Sequence, residues 1–272
     1  MVSEIKKNNV LIIYSSAQGT TTRIAEAITE GMNSAGASAF AVRIDILSMM
    51  PERVLTADII GIGFPVYFHR EPRYIDELIS GLPPLNGKNA FVFCTCGMNS
   101  PGETFERVID LLSQQGANVI GAVYFPSAMS YLPYRRRGFG NNENLPDEEV
   151  LASARRFGAS MTGWQTAVSS QPVSLSDRMK AWVLANSTIR KLSLPGVQLN
   201  PELCTGYGQC MTRCQFGGLA REDDENEEEI PYITDRCIQC LQCIDWCPRS
   251  AIEINSRIKD LLSAFIYHLK IH

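Results

Sequence analysis

The stretch VLIIYSSAQGTTTRIAEAITEG, Val10 to Gly31, decides the fold. Val10 to Tyr14 is a short apolar run suited to a buried strand, and RIAEAITEG carries apolar side chains at three- and four-residue spacing, the period of a helix packed on that strand. Between them, Ser15 to Thr22 is small or hydroxyl-bearing at every position except Gln18. Such residues let successive backbone N–H groups turn inward around an anion, and the positive end of the helix dipole adds to the attraction. A monoanionic or dianionic phosphate would fit. The loop has neither the lysine of GxxxxGK(S/T) nor the glycine spacing of GxGxxG, which argues against nucleoside triphosphates and dinucleotides. Read alone, the same turn also serves as a plain helix cap.

Working outward, SAFAVRI at 38–44, DIIGIGF at 58–64, NAFVFCT at 89–95 and ANVIGAVYF at 117–125 read as four further strands. PRYIDELISGL, GETFERVIDLLSQQG and DEEVLASARRFGASMTGWQTAV carry the helical period between and after them. Alternation of this kind predicts an α/β fold, a doubly wound five-stranded parallel sheet of order 2-1-3-4-5. In that order a ligand lies beyond the carboxyl ends of the strands, at the break between strands 1 and 3. Strand 3 ends there in FPVYFH, Phe64 to His69, which offers faces for a flat ring, and strand 4 in CTCGMN, Cys94 to Asn99, whose glycine permits close backbone approach.

On these motifs the chain resembles the flavodoxins over residues 9 to about 168, and specifically the flavodoxin–ferredoxin fusions of anaerobic microbes. The family's S/T-x-T-G-x-T loop is met by Ser16, Gln18, Gly19, Thr20 and Thr21, with Gln18 departing from the usual threonine. AMSYLPY at 128–134 looks like the loop that covers the flavin in such fusions. The resemblance implies FMN, its phosphate on Ser16, Ala17, Gln18, Gly19, Thr20 and Thr21 and its ring among Pro65, Val66, Tyr67, Phe68, Thr95, Cys96 and Gly97. Cys94 and Cys96, two apart on a strand, face the same way and serve as core packing or as redox thiols beside the flavin.

Seven of the nine cysteines crowd between Cys204 and Cys247. CIQCLQCIDWCP, from Cys237 through Cys240, Cys243 and Cys247 to Pro248, has the C-x2-C-x2-C-x3-C-P spacing that wraps three thiolates around one cubane cluster and sends the fourth to another. Zinc, which prefers separated CxxC pairs, is the weaker reading. Upstream, CTGYGQCMTRCQ keeps Cys204, Cys210 and Cys214 but has Tyr207 in the second place and Gln215 in that of proline. This resembles a bacterial two-cluster ferredoxin from Leu199 to Asn255 with one ligand missing. By the crosswise rule Cys214, Cys237, Cys240 and Cys243 would hold a [4Fe-4S] cluster. Cys204, Cys210 and Cys247 would then hold a [3Fe-4S] or labile [4Fe-4S] cluster, unless that site is vestigial and its cysteines merely pack.

The chain has 272 residues, 45% of them hydrophobic and 20% charged, with a net charge of −4. That balance is globular, and it lacks the basic face that nucleic acid requires. Residues 200–256 carry eleven acidic against four basic side chains, and seven of the eight residues 222–229 are carboxylates, a docking surface for a basic partner or a solvated loop. Arg135, Arg136 and Arg137 are candidates to meet that run, within one chain or across a dimer. The apolar run at the N-terminus is too short for a signal peptide core or a membrane span, so a cytoplasmic protein is expected. Four segments are expected: 1–170 for the flavin, 171–197 as linker and connecting helix, 198–256 for the clusters, and 257–272 as a last helix that docks or forms a homodimer. The predicted function is electron transfer between iron–sulfur clusters and FMN, with a ferredoxin-type protein as donor or acceptor. The rival is a reductase of a quinone or nitro compound fed by the ferredoxin module, and the third reading is an interaction module that uses metal only to fold. No side-chain catalyst is identifiable.

Overall fold

The computed structural model of the chain describes residues 8–98, 100–140, 143–163, 167–168, 195–222 and 229–255. The expected linker and connecting helix through Lys191, the last helix after Ser256 and most of the acidic run lie outside the described residues. By packing, the chain divides into two compact units, Met1–Ala128 with Asn141–Ala181, and Met129–Gly140 with Trp182–His272.

The first unit is a parallel sheet built from β1 (Asn9–Tyr14), β2 (Ser38–Arg43), β3 (Ile59–Pro65), β4 (Asn89–Cys96) and β5 (Asn118–Pro126). The order is 2-1-3-4-5, and β6 (Ala167–Val168) adds a sixth strand beside β5. The sequence period predicts that the helix continues through this last strand, whereas the helix stops at Thr162. The helices are α1 (Thr20–Ser34), α2 (Pro51–Thr56), α3 (Arg73–Gly81), α4 (Thr104–Gln114), α5 (Leu132–Arg135) and α6 (Glu148–Thr162), of which α5 belongs to the second unit. α2 is too short to show a period in sequence.

Both faces of the sheet are covered, so its central strands read as continuous apolar runs. Leu11, Ile13, Ile60, Ile62, Val92 and Cys94 meet Ile75, Ile79, Val108 and Leu112 of α3 and α4 on one face. Val10, Ile12, Ile59, Phe91 and Phe93 meet Ile24, Ile28, Met32, Ala154 and Phe157 of α1 and α6 on the other. The glycines of β3 make room for that second face: a Cβ at Gly61 would stand 2.4 Å from the Phe91 ring, and one at Gly63 would stand 2.1 Å from the Phe93 ring. Asp147 caps α6 by accepting from the Val150 N–H at 3.0 Å.

The second unit pairs β7 (Val197–Leu199) with β10 (Ile252–Ile254), and β8 (Leu219–Ala220) with β9 (Tyr232–Ile233), both antiparallel. Two short helices, α7 (Gln209–Thr212) and α8 (Gln242–Trp246), follow the two cysteine loops. Among the described residues no helix is long and apolar enough to cross a membrane.

Candidate cofactor sites

The loop between β1 and α1 is held open by its own backbone. Gly19 caps the helix at φ 84°, with no atom within 4 Å of where a Cβ would stand. Ser16 Oγ accepts from the Thr22 N–H at 3.2 Å, and the Arg23 N–H reaches Gly19 O at 3.1 Å. The N–H groups of Ala17 to Thr21 donate to no protein acceptor among the described residues, as expected at a helix start. Five unspent donors around an open, left-handed glycine suit a phosphate. Thr21 is buried, and its hydroxyl meets that of Thr95 at the end of β4, 2.9 Å away. It therefore braces the loop against the sheet as well as lying in it.

The β3 end, Pro65 to His69, starts with Val66 N–H donating to Thr95 O at 2.9 Å, which ties it to the end of β4. Tyr67 and Arg70 exchange backbone bonds of 3.0 and 3.1 Å across a tight turn in which Phe68 and His69 take φ values of 52° and 62°. Left-handed backbone at two consecutive residues with side chains costs on the order of 1–2 kcal/mol each and marks an over-determined loop. Gly102 presses on it, since a Cβ there would stand 2.4 Å from His69 O.

Directly after the turn lies a charge cluster that the sequence reading missed. Glu71, with its side chain 1% exposed, accepts from Arg107 Nε at 2.7 Å and pairs with Arg70 at 3.4 Å. Arg107 also reaches Asp76 at 3.4 Å. One oxygen each of Glu71 and Asp76 is buried with no hydrogen-bond partner among the described residues. Burial, reinforced by Glu71, holds the Asp76 carboxyl above its ordinary range against the pull of Arg107 and Arg70. REPR and a distant arginine on α4 have no periodic signature, so only the fold reveals them. Ser15 Oγ and the Tyr74 hydroxyl form a further hydrogen bond from the phosphate loop to α3.

Cys94 is fully buried in the core, and burial pushes its thiol well up, which fits packing rather than a reactive thiol. Cys96 donates its thiol to Ser100 O at 3.3 Å and accepts from the Met98 N–H at 3.4 Å.

In the second unit the two cysteine loops are copies of one another displaced by 33 residues, from Cys204 to Cys237 and from Cys214 to Cys247. The backbone repeats as well. Gly206 and Gly208 stand at φ 70° and 74°, and their counterparts Gln239 and Leu241 at 61° and 62°. The Gly218 N–H donates to Cys214 Sγ at 3.2 Å, and Ala251 N–H donates to Cys247 Sγ at the same distance. Tyr207 thus occupies the place of Cys240 on an equivalent backbone and points out, 69% exposed.

The thiols fall into two groups. Burial pushes Cys240 up to about 12, with Cys214 and Cys237 adding to the effect, and burial raises Cys243 beside Cys240, Cys237, Cys214 and, last, Cys210. Burial also raises Cys210, whose neighbouring thiols are Cys204 and Cys247. Each group draws one member from the opposite loop, Cys214 in the first and Cys247 in the second. A cavity lined by Cys204, Tyr207, Cys210, Trp246 and Cys247 lies at the second group. Among the described residues no disulfide joins any of the nine cysteines, and no three metal-binding side chains converge on a single-ion position.

The segment Met129–Gly140, which includes all but the first residue of the AMSYLPY stretch expected at 128–134 to cover the flavin, groups with the cysteine unit. There Arg135 pairs with Asp245 of α8 at 2.6 Å, and Arg137 donates to Pro133 O at 2.8 Å.

Residues 11–131 match the flavodoxin domain family, and residues 196–249 match the 4Fe-4S dicluster domain family. Among solved structures, the chain is similar to a flavodoxin from the domain Archaea at 16% identity, over 57% of this chain and 96% of that one, with a TM-score of 0.46. It is similar to the two-electron reduced flavodoxin of Megasphaera elsdenii at 23% identity, over 56% and 98% of the two chains, with a TM-score of 0.41. A WrbA-like flavodoxin from Agrobacterium tumefaciens matches at 20% identity over 58% and 96%, with a TM-score of 0.44.

Proposed function

We propose that this electron-transfer flavoprotein, a flavodoxin domain followed by a 4Fe-4S dicluster domain, passes electrons between its iron–sulfur clusters and FMN within one chain. The observation that carries the reading is the pairing, in one polypeptide, of five unspent loop donors with two groups of thiols drawn crosswise from repeated loops. FMN supplies the exchange between two-electron and one-electron chemistry.

The residues divide the work. The N–H groups of Ala17 to Thr21 bind the phosphate, and Ser16 and Gly19 keep them turned inward. The Pro65–Phe68 and Thr95–Gly97 segments flank the ring, with the Glu71–Arg107 pair fixing the turn beside it. Cys214, Cys237, Cys240 and Cys243 hold a [4Fe-4S] cluster. Cys204, Cys210 and Cys247 hold a [3Fe-4S] or labile [4Fe-4S] cluster. The N–H groups of Gly218 and Ala251 stabilise charge on the Cys214 and Cys247 sulfurs, which raises the potentials of the centres they ligate. A ferredoxin-type protein is the external partner. The cytoplasm, where thiols stay reduced, is the compartment that nine cysteines without disulfides fit.

Stopped-flow reduction of the full chain by a ferredoxin-type donor tests the relay. Flavin reduction should follow cluster reduction at a rate independent of protein concentration. Cys237→Ser with Cys240→Ser, in the intact chain and with FMN retained, should abolish that phase. Equal flavin reduction in the variant would sink the relay. Sustained turnover of a quinone or nitro compound by the intact chain would point to the small-acceptor reductase instead.

A further inference from the structure

The 33-residue repeat that makes the two cysteine loops alike also shows where they differ. Tyr207 replaces the counterpart of Cys240, and Arg221 stands where the repeat places Ile254 on β10. Arg221 is 8% exposed, a degree of burial that arginine rarely reaches without a partner of opposite charge. Its guanidinium donates to Glu229 O at 2.9 Å and to Gly206 O, and it packs against Gly208, where a Cβ would stand 3.3 Å from Nη2. Both hydrogen-bond partners are neutral carbonyls. Among the described residues no carboxylate pairs with it.

Gly206 and Gly208 flank Tyr207 and lie between Cys204 and Cys210, so the cation is fixed to the backbone of the three-thiolate loop. The four-thiolate loop has an apolar residue in the equivalent place. A guanidinium cannot lose its proton at any ordinary pH, and its charge is least screened where it is buried. Cys204, Cys210 and Cys247, when they ligate a cluster as thiolates, would place negative charge on this same loop.

We propose that Arg221 is the built-in counter-charge of the three-thiolate site, a positioning residue that holds the 206–208 loop and sets that cluster at a higher reduction potential than its four-thiolate neighbour. The inference rests on the reading above that a cluster occupies this site. Positive charge beside an anionic centre favours the form with one more electron, and the missing fourth thiolate acts in the same direction. Electrons entering the module therefore settle first at the three-thiolate centre, and the two centres are ordered by one arginine and one tyrosine.

The test is an EPR-monitored redox titration of the full chain against dithionite, with iron and sulfide counted per chain, for the wild type, Arg221→Gln and Arg221→Lys. In the wild type the three-thiolate centre should take its electron first. Arg221→Gln should lower the midpoint of that centre and leave the four-thiolate centre where it was, while Arg221→Lys should retain most of the wild-type value. An unchanged midpoint in Arg221→Gln overturns the proposal, as does an equal shift of both centres. Should Arg221→Gln lose the cluster, retention in Arg221→Lys supports the counter-charge, whereas loss in both shows that only the loop geometry mattered and overturns it. A wild-type chain with a single cluster defeats the two-cluster reading itself, an outcome visible in the iron count before any variant is made.

Discussion

The hydroxyls of Thr21 and Thr95 lie 2.9 Å apart in a buried hydrogen bond that joins the first turn of α1 to the end of β4. The two residues come from the two loops that the sequence assigns to phosphate and ring, so one bond sets the distance between both halves of the proposed flavin site. Thr21→Val keeps the shape and leaves Thr95 without this partner. It should lower the unfolding free energy by about 1 kcal/mol and weaken FMN binding by roughly fivefold, the equivalent of the same energy. Urea unfolding and a fluorescence titration of the stripped protein with FMN measure both. An affinity equal to the wild type would show that the brace does not position the loop.

The packing of α1 on α6 depends on two glycines. A Cβ at Gly31 would stand 2.0 Å from Arg155 O, and one at Gly158 would stand 2.2 Å from Ile28 O. Because each contact is with backbone, no rotamer change relieves it. Gly31→Ala and Gly158→Ala should each cost about 3 kcal/mol by forcing the helices apart. Gly81→Ala, where nothing lies within 4 Å, should be neutral or stabilising by up to about 1 kcal/mol. Thermal unfolding followed by flavin fluorescence ranks the three, and equal stability of all three would refute the close-approach argument.

The difference between what the sequence discloses and what only the fold discloses has a physical basis. Strand and helix periods are local, so β1 to β5 and the long helices are legible from Val10 onward. The cysteine spacing is a local ruler too, which is why the crosswise groups can be anticipated. By contrast, Glu71 and Arg107 meet across two helices, and nothing in either neighbourhood announces the other. Arg221 is legible only once the repeat shows Ile254 opposite it. The short strand β6 carries too few residues for a period to form, and the segment Met129–Gly140 leaves one unit for the other without any change of composition.

Asp76 gives the fold a pH dependence with a definite sign. Its carboxyl is held above the ordinary value by burial first and by Glu71 second, opposed by Arg107 and Arg70. A carboxyl that binds its proton more tightly in the folded chain favours folding below its ordinary range, and loses that contribution as pH rises through the raised value. Asp76→Asn removes the titration. The stability of the variant relative to wild type should therefore be greater near pH 7 than near pH 3, below the ordinary carboxylate range, by less than about 1 kcal/mol because the side chain is one-third exposed. Urea unfolding at the two pH values checks the sign, and a stability of the variant relative to wild type that falls as pH rises would refute it.

The sharpest prediction concerns Tyr207. The repeat places it on the backbone of Cys240, with left-handed neighbours at 206 and 208 matching those at 239 and 241. Its ring reaches outward beside a cavity that already contains Cys204, Cys210 and Cys247. Three thiolates leave one corner of a cubane without a protein ligand, so the unmodified chain should hold about seven irons when prepared anaerobically, with a three-iron EPR signal after mild oxidation. In Tyr207→Cys the backbone is already shaped for the fourth ligand, and the sulfur replaces a largely exposed side chain. Iron should rise toward about eight per chain and the three-iron signal should disappear, while the Cys214, Cys237, Cys240 and Cys243 centre stays as it was. If the unmodified protein already carries eight irons and shows no three-iron signal, Tyr207 does not leave a corner open. If Tyr207→Cys gains no iron, the two loops are alike in backbone but not in the volume they enclose.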